Sequence, residues 1–351
     1  MDNPFIFGAV VKGENFCDRE QESKDILGLC KSHNSLILIS PRRYGKTSLV
    51  VNTLEKNKIP YILVDCTQLD SKEDFVRRIA QKYLETLKEG NVIEKIKYLS
   101  KVLNIEFNIK AEGFEIKVKK FEYGGFEQLL KEITKQYTIV FDEFQDVFEL
   151  DKTLVQRLRG ILQFIPRTHI FLGSKKHMIL HIFENQNSAF YKFGHMLHLE
   201  KIPKTVWKTF IINHCKKTKV DMPEQEIEII IDYANNIPFY VQYLAYHVWE
   251  GKKTNKSAEQ VIKDQLQSNY YIYEGIFSKL PRSQRNALKI VANRKENLFA
   301  QDLLEGYQIK NAQLLNKSLN ALIDKGALEK NGTYFFVDPL FERFVLNLDK
   351  K

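Results

Sequence analysis

The feature that most constrains the fold is a rhythm in roughly the first 90 residues. Short apolar runs, Ser35-Leu36-Ile37-Leu38-Ile39 and Tyr61-Ile62-Leu63-Val64-Asp65, alternate with helical periodicity at 20–33, 47–56 and 71–88. A continuous apolar run bounded by polar residues fits a strand buried on both faces, which a parallel sheet provides and a half-exposed antiparallel sheet does not. Strand and helix in alternation predict a doubly wound parallel α/β sheet. Two further runs extend it: Thr138-Ile139-Val140-Phe141, closed by Asp142-Glu143, and His169-Ile170-Phe171-Leu172, closed by Gly173-Ser174. Helices are expected beside them at 126–135 and 152–164.

Residues 105–119 interrupt the rhythm. Ile105, Phe107 and Ile109 alternate with polar residues, as do Phe114, Ile116 and Val118, around Ala111-Glu112-Gly113. That pattern predicts a β-hairpin inserted at the sheet edge. Beyond about residue 200 the buried runs stop, and 204–217, 224–235, 238–250 and 258–272 all carry helical periodicity. Pro238 falls in the first turn of the third of these, where its missing N–H is harmless. Helical stretches at 281–293, 299–305 and 311–325 then precede two strands, Leu328–Lys330 and Thr333–Val337, joined by Asn331-Gly332. Asn-Gly is the strongest two-residue hairpin signal. Three helices and a hairpin predict a winged helix, closed by a helix at 339–348. The expected division is a sheet domain over 1–200, a helical domain over 201–273 and a winged helix over 274–351.

Composition narrows the class. With 44% hydrophobic and 28% charged residues the chain has ordinary globular proportions. It has no apolar run of about 18 residues, and Met1-Asp2-Asn3-Pro4-Phe5 lacks the pattern of a signal peptide. A cytoplasmic protein without a membrane partner is therefore expected. Cys17, Cys30, Cys66 and Cys215 form neither C-x-x-C nor a zinc spacing, so free thiols are expected. The net charge of +9, from 53 basic against 44 acidic residues, permits an anionic partner without requiring one.

The segment Ser40-Pro41-Arg42-Arg43-Tyr44-Gly45-Lys46-Thr47 joins an apolar strand to a helix. Phosphate chemistry needs that order, because loop N–H groups and the helix N-terminus must both point at phosphate oxygens. Gly45 lets the backbone approach closely. Lys46 is placed to reach β- and γ-phosphates and Thr47 to ligate Mg2+. Ser40 stands where the usual motif has its first glycine, which is tolerable if position 40 needs no positive φ. Gly-Lys-Thr alone also fits an ordinary strand–turn–helix corner. The acids at the end of a second buried strand, about 95 residues on, decide for the nucleotide reading: Asp142 to hold Mg2+, Glu143 to orient and deprotonate water. Ser174, closing the next strand, is placed to sense the γ-phosphate.

These segments together resemble the archaeal and bacterial AAA-type ATPases related to the STAND class of signal-transduction NTPases, over nearly the whole length. Asn3-Pro4-Phe5 with Phe16 and Asp18-Arg19-Glu20 resembles the family's N-terminal box beside the nucleotide. Ser40 to Thr47, continued by Ser48-Leu49, matches its phosphate loop, serine start included, and Asp142-Glu143-Phe144-Gln145 its extended acidic motif. Gly173-Ser174 matches the sensor strand. Asn236-Ile237-Pro238 resembles the lid motif Gly-x-Pro, whose proline packs near the nucleotide; Asn tolerates the left-handed backbone that Gly adopts. Asp338-Pro339-Leu340-Phe341 resembles the motif that closes the winged helix. The resemblance implies a P-loop NTPase core (AAA-like), a helical lid and a winged helix, with ATP and Mg2+ as cofactors. The family's arginine after Phe-Tyr is absent, since Lys192 follows Phe190-Tyr191; Lys192, Arg157, Arg159 and Arg167 are the alternatives for that role.

Three functions are open at this stage: an ATPase; a switch that hydrolyses slowly and binds a protein partner or itself according to bound ATP or ADP; and an ATP-regulated DNA-binding protein. For the last, Gln313, Asn316, Lys317 and Asn320 are expected to face outward from the helix at 311–325, with Leu315, Leu319 and Leu322 inward. Residues 271–351 carry 13 basic against 9 acidic side chains, a net of only +4, and a dedicated DNA-binding module is commonly more basic. A structural clamp therefore ranks above a DNA reader. His177, His181, His195 and His198 fit no metal spacing. Tyr270, Tyr271 and Tyr273 read as helix packing before base stacking, and Lys117, Lys119 and Lys120 as a solvated edge.

Overall fold

A computed structural model of the chain describes residues 2–87, 89–103, 105–110, 113–293 and 297–348. The chain divides into two compact units, one made of Asp18–Ser40 and Tyr44–Glu200, the other of Met1–Cys17, Pro41–Arg43 and Lys201–Lys351.

The first unit runs α1 (Glu20–Lys31), β1 (Leu36–Ile39), α2 (Lys46–Lys56), β2 (Tyr61–Asp65), α3 (Lys72–Glu85) and α4 (Glu89–Leu103). There follow β3 (Ile105–Lys110), β4 (Gly113–Val118), α5 (Tyr123–Thr134), β5 (Thr138–Asp142), α6 (Gln145–Leu150), α7 (Lys152–Leu162), β6 (His169–Gly173), α8 (Lys176–Phe183) and β7 (His195–His198). Five strands pair in parallel in the order β2-β5-β6-β1-β7. Every residue of β1 and β6 is buried, the physical reason those runs are continuously apolar. Phe141 and Phe171 stack at 5.5 Å across neighbouring strands; Phe144 and Phe190 set their edges against Phe171, and Phe183 lies tilted to it.

Four elements of this unit go beyond the sequence expectations. Helices α4, α6 and α8 and the strand β7 carry weak signals. Strand β7 reads His195-Met196-Leu197-His198, lies at the sheet edge and buries none of its residues fully, so it lacks the apolar signature of its neighbours. The hairpin over 105–119 forms, but β3 and β4 pair only with each other and do not join the main sheet. Ile105 and Ile116 are buried with Leu99 and Leu103, so the hairpin sits over helices, β4 against α3 and β3 against α4. Ala111 and Glu112, expected at its turn, lie outside the described residues.

The second unit contains α9 (Lys204–Thr218), α10 (Glu224–Tyr233), α11 (Pro238–Lys252), α12 (Ala258–Ser268) and α13 (Tyr270–Ser278). Next come α14 (Arg282–Asn293), α15 (Gln301–Gly306), α16 (Ala312–Asp324), β8 (Leu328–Asn331), β9 (Thr333–Phe336) and α17 (Pro339–Leu348). Pro238 opens α11, where no intrahelical N–H is needed. Leu315, Leu319 and Leu322 are buried, while Gln313, Asn316, Lys317 and Asn320 are exposed, as the periodicity of α16 predicts. The reversal between β8 and β9 is tighter than a two-residue turn: Asn331 itself pairs with Thr333, and Gly332 alone has a left-handed φ, of 73°. Tyr270 and Tyr273 pack on Phe344, and Tyr271 points outward, largely exposed.

Met1–Cys17, expected with the sheet, clusters with the helices instead. Asn3 donates from Nδ2 to the Tyr246 carbonyl (3.0 Å) and to Glu250 Oε1 (3.1 Å). Gln242 accepts the Ile6 N–H and donates to the Asn15 carbonyl at 2.8 Å. Phe7 meets the rings of Tyr243 and Tyr246 edge-on at 5.0 and 5.2 Å. No helix among the described residues is long and apolar enough to cross a membrane.

Candidate functional site

The strand order brings the site together. Strand β6 lies between β1 and β5, so the loop after β1, Gly173-Ser174 after β6 and Asp142-Glu143 at the end of β5 stand side by side at the carboxyl ends of the strands. In open parallel sheets that edge is where ligands bind. The Ser40 N–H donates to the Gly173 carbonyl at 3.3 Å, and the Phe144 N–H to the Leu172 carbonyl at 2.9 Å.

Within the loop, positive φ falls on Arg43 (72°) and Gly45 (86°), and Ser40 is not among the positive-φ residues. The serine start is therefore accommodated without strain. A side-chain carbon built on Gly45 would meet nothing within 4 Å, so glycine is demanded there by its backbone angle, and the backbone stays open to approach. Pro41 is half-buried, Arg42 exposed, and Tyr44 and Ser48 buried. Gly45 caps α2, whose first residue is Lys46, so the helix N-terminus faces the loop.

Thr47 Oγ1 donates to Asp142 Oδ2 at 2.7 Å. Lys46 Nζ lies 2.7 Å from Glu143 Oε1, with both side chains largely buried. Glu143 Oε2 accepts from Ser174 Oγ (2.6 Å), from the Ser174 N–H (3.2 Å) and from Gln145 Nε2 (2.6 Å). Glu143 adopts φ 52°, and its N–H donates to Asp142 Oδ1 at 3.0 Å. A left-handed non-glycine backbone is costly and collects at functional sites. Gln145, whose role its place in the sequence did not disclose, is thus one of three residues that hold this carboxylate. Its orientation is fixed, since a carboxylate only accepts. A carbon on Gly173 would come within 2.9 Å of Gln145 Oε1 and 2.4 Å or less of Ile179, so Gly173 makes the room for this amide.

The two acids titrate in opposite directions. Burial opposes ionisation of Glu143, but the Lys46 ammonium and hydrogen bonds from Lys46, Ser174 and Gln145 outweigh it and hold the carboxyl down at about 2. Burial pushes Asp142 up, and Lys46 and Thr47 offset it only in part. The single ammonium sits on Glu143, so Glu143 is the firmly ionised member of the pair.

These donors fit a nucleoside triphosphate with Mg2+. Lys46 offers a cation at the N-terminus of α2, and Thr47 with Asp142 the hydroxyl and carboxylate that a magnesium ion takes alongside phosphate oxygens. Among the described residues no group of three or more His, Cys, Asp or Glu side chains is placed to hold a metal by itself. The four cysteines are free thiols.

Other expected residues lie elsewhere. Pro238 belongs to the second unit, and the N–H of Phe239 beside it donates to the Arg43 carbonyl at 3.2 Å. Asn236 has φ 57°, the left-handed backbone anticipated for the residue replacing glycine. Of the alternatives for the missing arginine, Arg159 stacks on Phe193 (4.5 Å), Arg157 on Tyr123 (5.3 Å) and Lys192 lies over Tyr191. Arg167 donates to the carbonyls of Gln136 and Lys135.

Comparison with known proteins supports the architecture. The sequence model of a probable winged helix domain matches residues 271–347. No curated protein matches the sequence. Among solved structures, the Walker-type ATPase PABY2304 of Pyrococcus abyssi superposes with a TM-score of 0.71 at 20% identity, covering 98% of this chain and 99% of that one. The ORC1 protein of Aeropyrum pernix, solved in complex with DNA, gives 0.54 at 12% identity over 96% and 94%. Cdc6p of Pyrobaculum aerophilum gives 0.51 at 15% identity over 100% and 98%. At these identities the likeness is one of fold: a parallel α/β core of the P-loop ATPase kind, with a C-terminal winged helix.

Proposed function

We propose that the chain is a P-loop ATPase that binds ATP with Mg2+ and hydrolyses it to ADP and phosphate. The convergence of Lys46, Thr47, Asp142, Glu143 and Ser174, linked by hydrogen bonds of 2.6–3.0 Å, carries this reading. Loop N–H groups and Lys46 bind the β- and γ-phosphates; Thr47 and Asp142 hold Mg2+, which when bound neutralises charge across the phosphate oxygens. Phosphate competes with Glu143 for Lys46, and a Glu143 released from the ammonium regains basicity and can orient and deprotonate water. Ser174 senses the γ-phosphate, its one O–H turning from Glu143 to a phosphate oxygen while its N–H stays on Glu143. Lys46→Ala should abolish ATP binding, measured by titration calorimetry; unchanged affinity would contradict the assignment. The AAA and STAND affinities, a lid around Pro238 and coupling of ATP or ADP state to a protein partner or to self-association belong to the same proposal.

A second reading, ATP-regulated DNA binding, rests on the winged helix and on the exposed Gln313, Asn316, Lys317 and Asn320 of α16. Affinity for duplex DNA should then fall steeply with salt and on Lys317→Glu. Absence of binding at low salt would remove this reading.

A further inference from the structure

The motif Asp338-Pro339-Leu340-Phe341 takes no part in the chemistry above, yet one of its residues touches the phosphate loop. Arg43, two residues before Gly45, lies in the same compact unit as α11, α13 and α17. Its guanidinium stacks over Phe239 (4.8 Å) and Tyr240 (4.9 Å) at the start of α11, and its Nη1 lies 3.5 Å from Asp338 Oδ2. The same Oδ2 accepts from the hydroxyl of buried Tyr273 on α13 (3.4 Å), whose ring packs on Phe341. Asp338 Oδ1 meanwhile accepts the N–H groups of Leu340 (2.9 Å) and Phe341 (3.2 Å), capping α17. The Arg43 carbonyl takes the Phe239 N–H. Both ends of Arg43 are therefore held, while its φ of 72° is a conformation that a side chain with a Cβ adopts at a cost.

We infer that Asp338, acting through Arg43, is a positioning residue for the nucleotide site: these contacts, all within one compact unit, hold residue 43 of the phosphate loop in its strained conformation. The guanidinium serves as the handle. Burial raises the pKa of Asp338, and the Phe341 N–H and the Arg43 guanidinium offset that rise only in part. By reciprocity, nucleotide seated on the loop stabilises the Arg43–Asp338 contact to the same extent.

This inference rests on the ATP-binding reading, and one experiment separates the two. Binding of ATP with Mg2+ is titrated calorimetrically on the full chain for wild type, Arg43→Gln, Asp338→Asn, the double variant and Tyr273→Phe. Asparagine keeps the oxygen that caps α17, so Asp338→Asn should fold, and unfolding midpoints check this. Each of Arg43→Gln and Asp338→Asn should weaken binding by about fivefold or more. The double variant should be no weaker than the worse single one, and Tyr273→Phe should shift affinity in the same direction by less. Arg43→Lys, which keeps the charge, should recover part of the loss. Unchanged affinity in Asp338→Asn, or losses that multiply in the double variant, would overturn the inference while leaving ATP binding intact. Wild type that fails to bind ATP would overturn both.

Discussion

At the residue scale the account turns on the pair Lys46 and Glu143. A buried ammonium and carboxylate 2.7 Å apart are each costly alone, so removing one leaves the other unpaired. Glu143 titrates at about 2 in the folded chain against an ordinary 4.5. A depressed carboxyl contributes stability that is fully present above its unfolded value and lost as pH falls toward its folded value. Lys46→Met removes the ammonium responsible. The stability gap between wild type and Lys46→Met, from denaturant unfolding, should therefore be widest above pH 4.5 and narrow as pH falls toward about 2. A gap independent of pH would mean that the pair does not set the titration. These residues were legible in the sequence because each closes a buried strand or opens a helix within a short motif. The grip of Gln145 on Glu143 and of Asp338 on Arg43 was not legible. Side-chain direction decides the first, and a contact between positions far apart in the sequence decides the second.

At the element scale the placement of the acids beside the loop follows from β6 lying between β1 and β5. The apolar runs foretold the strands but not their order, since every buried run reads alike. Strand β7 escaped notice for the opposite reason, being an edge strand without an apolar run. The hairpin showed its period-two pattern, but nothing in that pattern says whether it pairs with the main sheet or, as found, lies over α3 and α4. Gly173 is the element-scale test. Any side chain on β6 at this point strikes Ile179 and Gln145, so Gly173→Ala should destabilise the fold by about 1–3 kcal/mol, as overpacking does. Because Gln145 must shift, turnover should fall more than ATP affinity. Unfolding and steady-state kinetics would show this, and a variant with wild-type stability would contradict the packing described.

At the scale of the whole molecule, the sheet unit carries Lys46, Thr47, Asp142, Glu143 and Ser174, and the helical and winged-helix unit contains Arg43 with its partners and an exposed polar face on α16. Most of the helices and the winged helix were readable from periodicity, although α4, α6 and α8 were not; the grouping of Met1–Cys17 and Pro41–Arg43 with the helical unit was not readable either, because it depends on contacts far apart in sequence. The central claim is that this molecule hydrolyses ATP with Glu143 as the residue that activates water. Phosphate release with saturating ATP and Mg2+, compared between wild type and Glu143→Gln, tests it most directly. The account predicts turnover by wild type and a loss of about 10²- to 10⁴-fold in Glu143→Gln, with ATP still bound; equal phosphate release by the two proteins would contradict it.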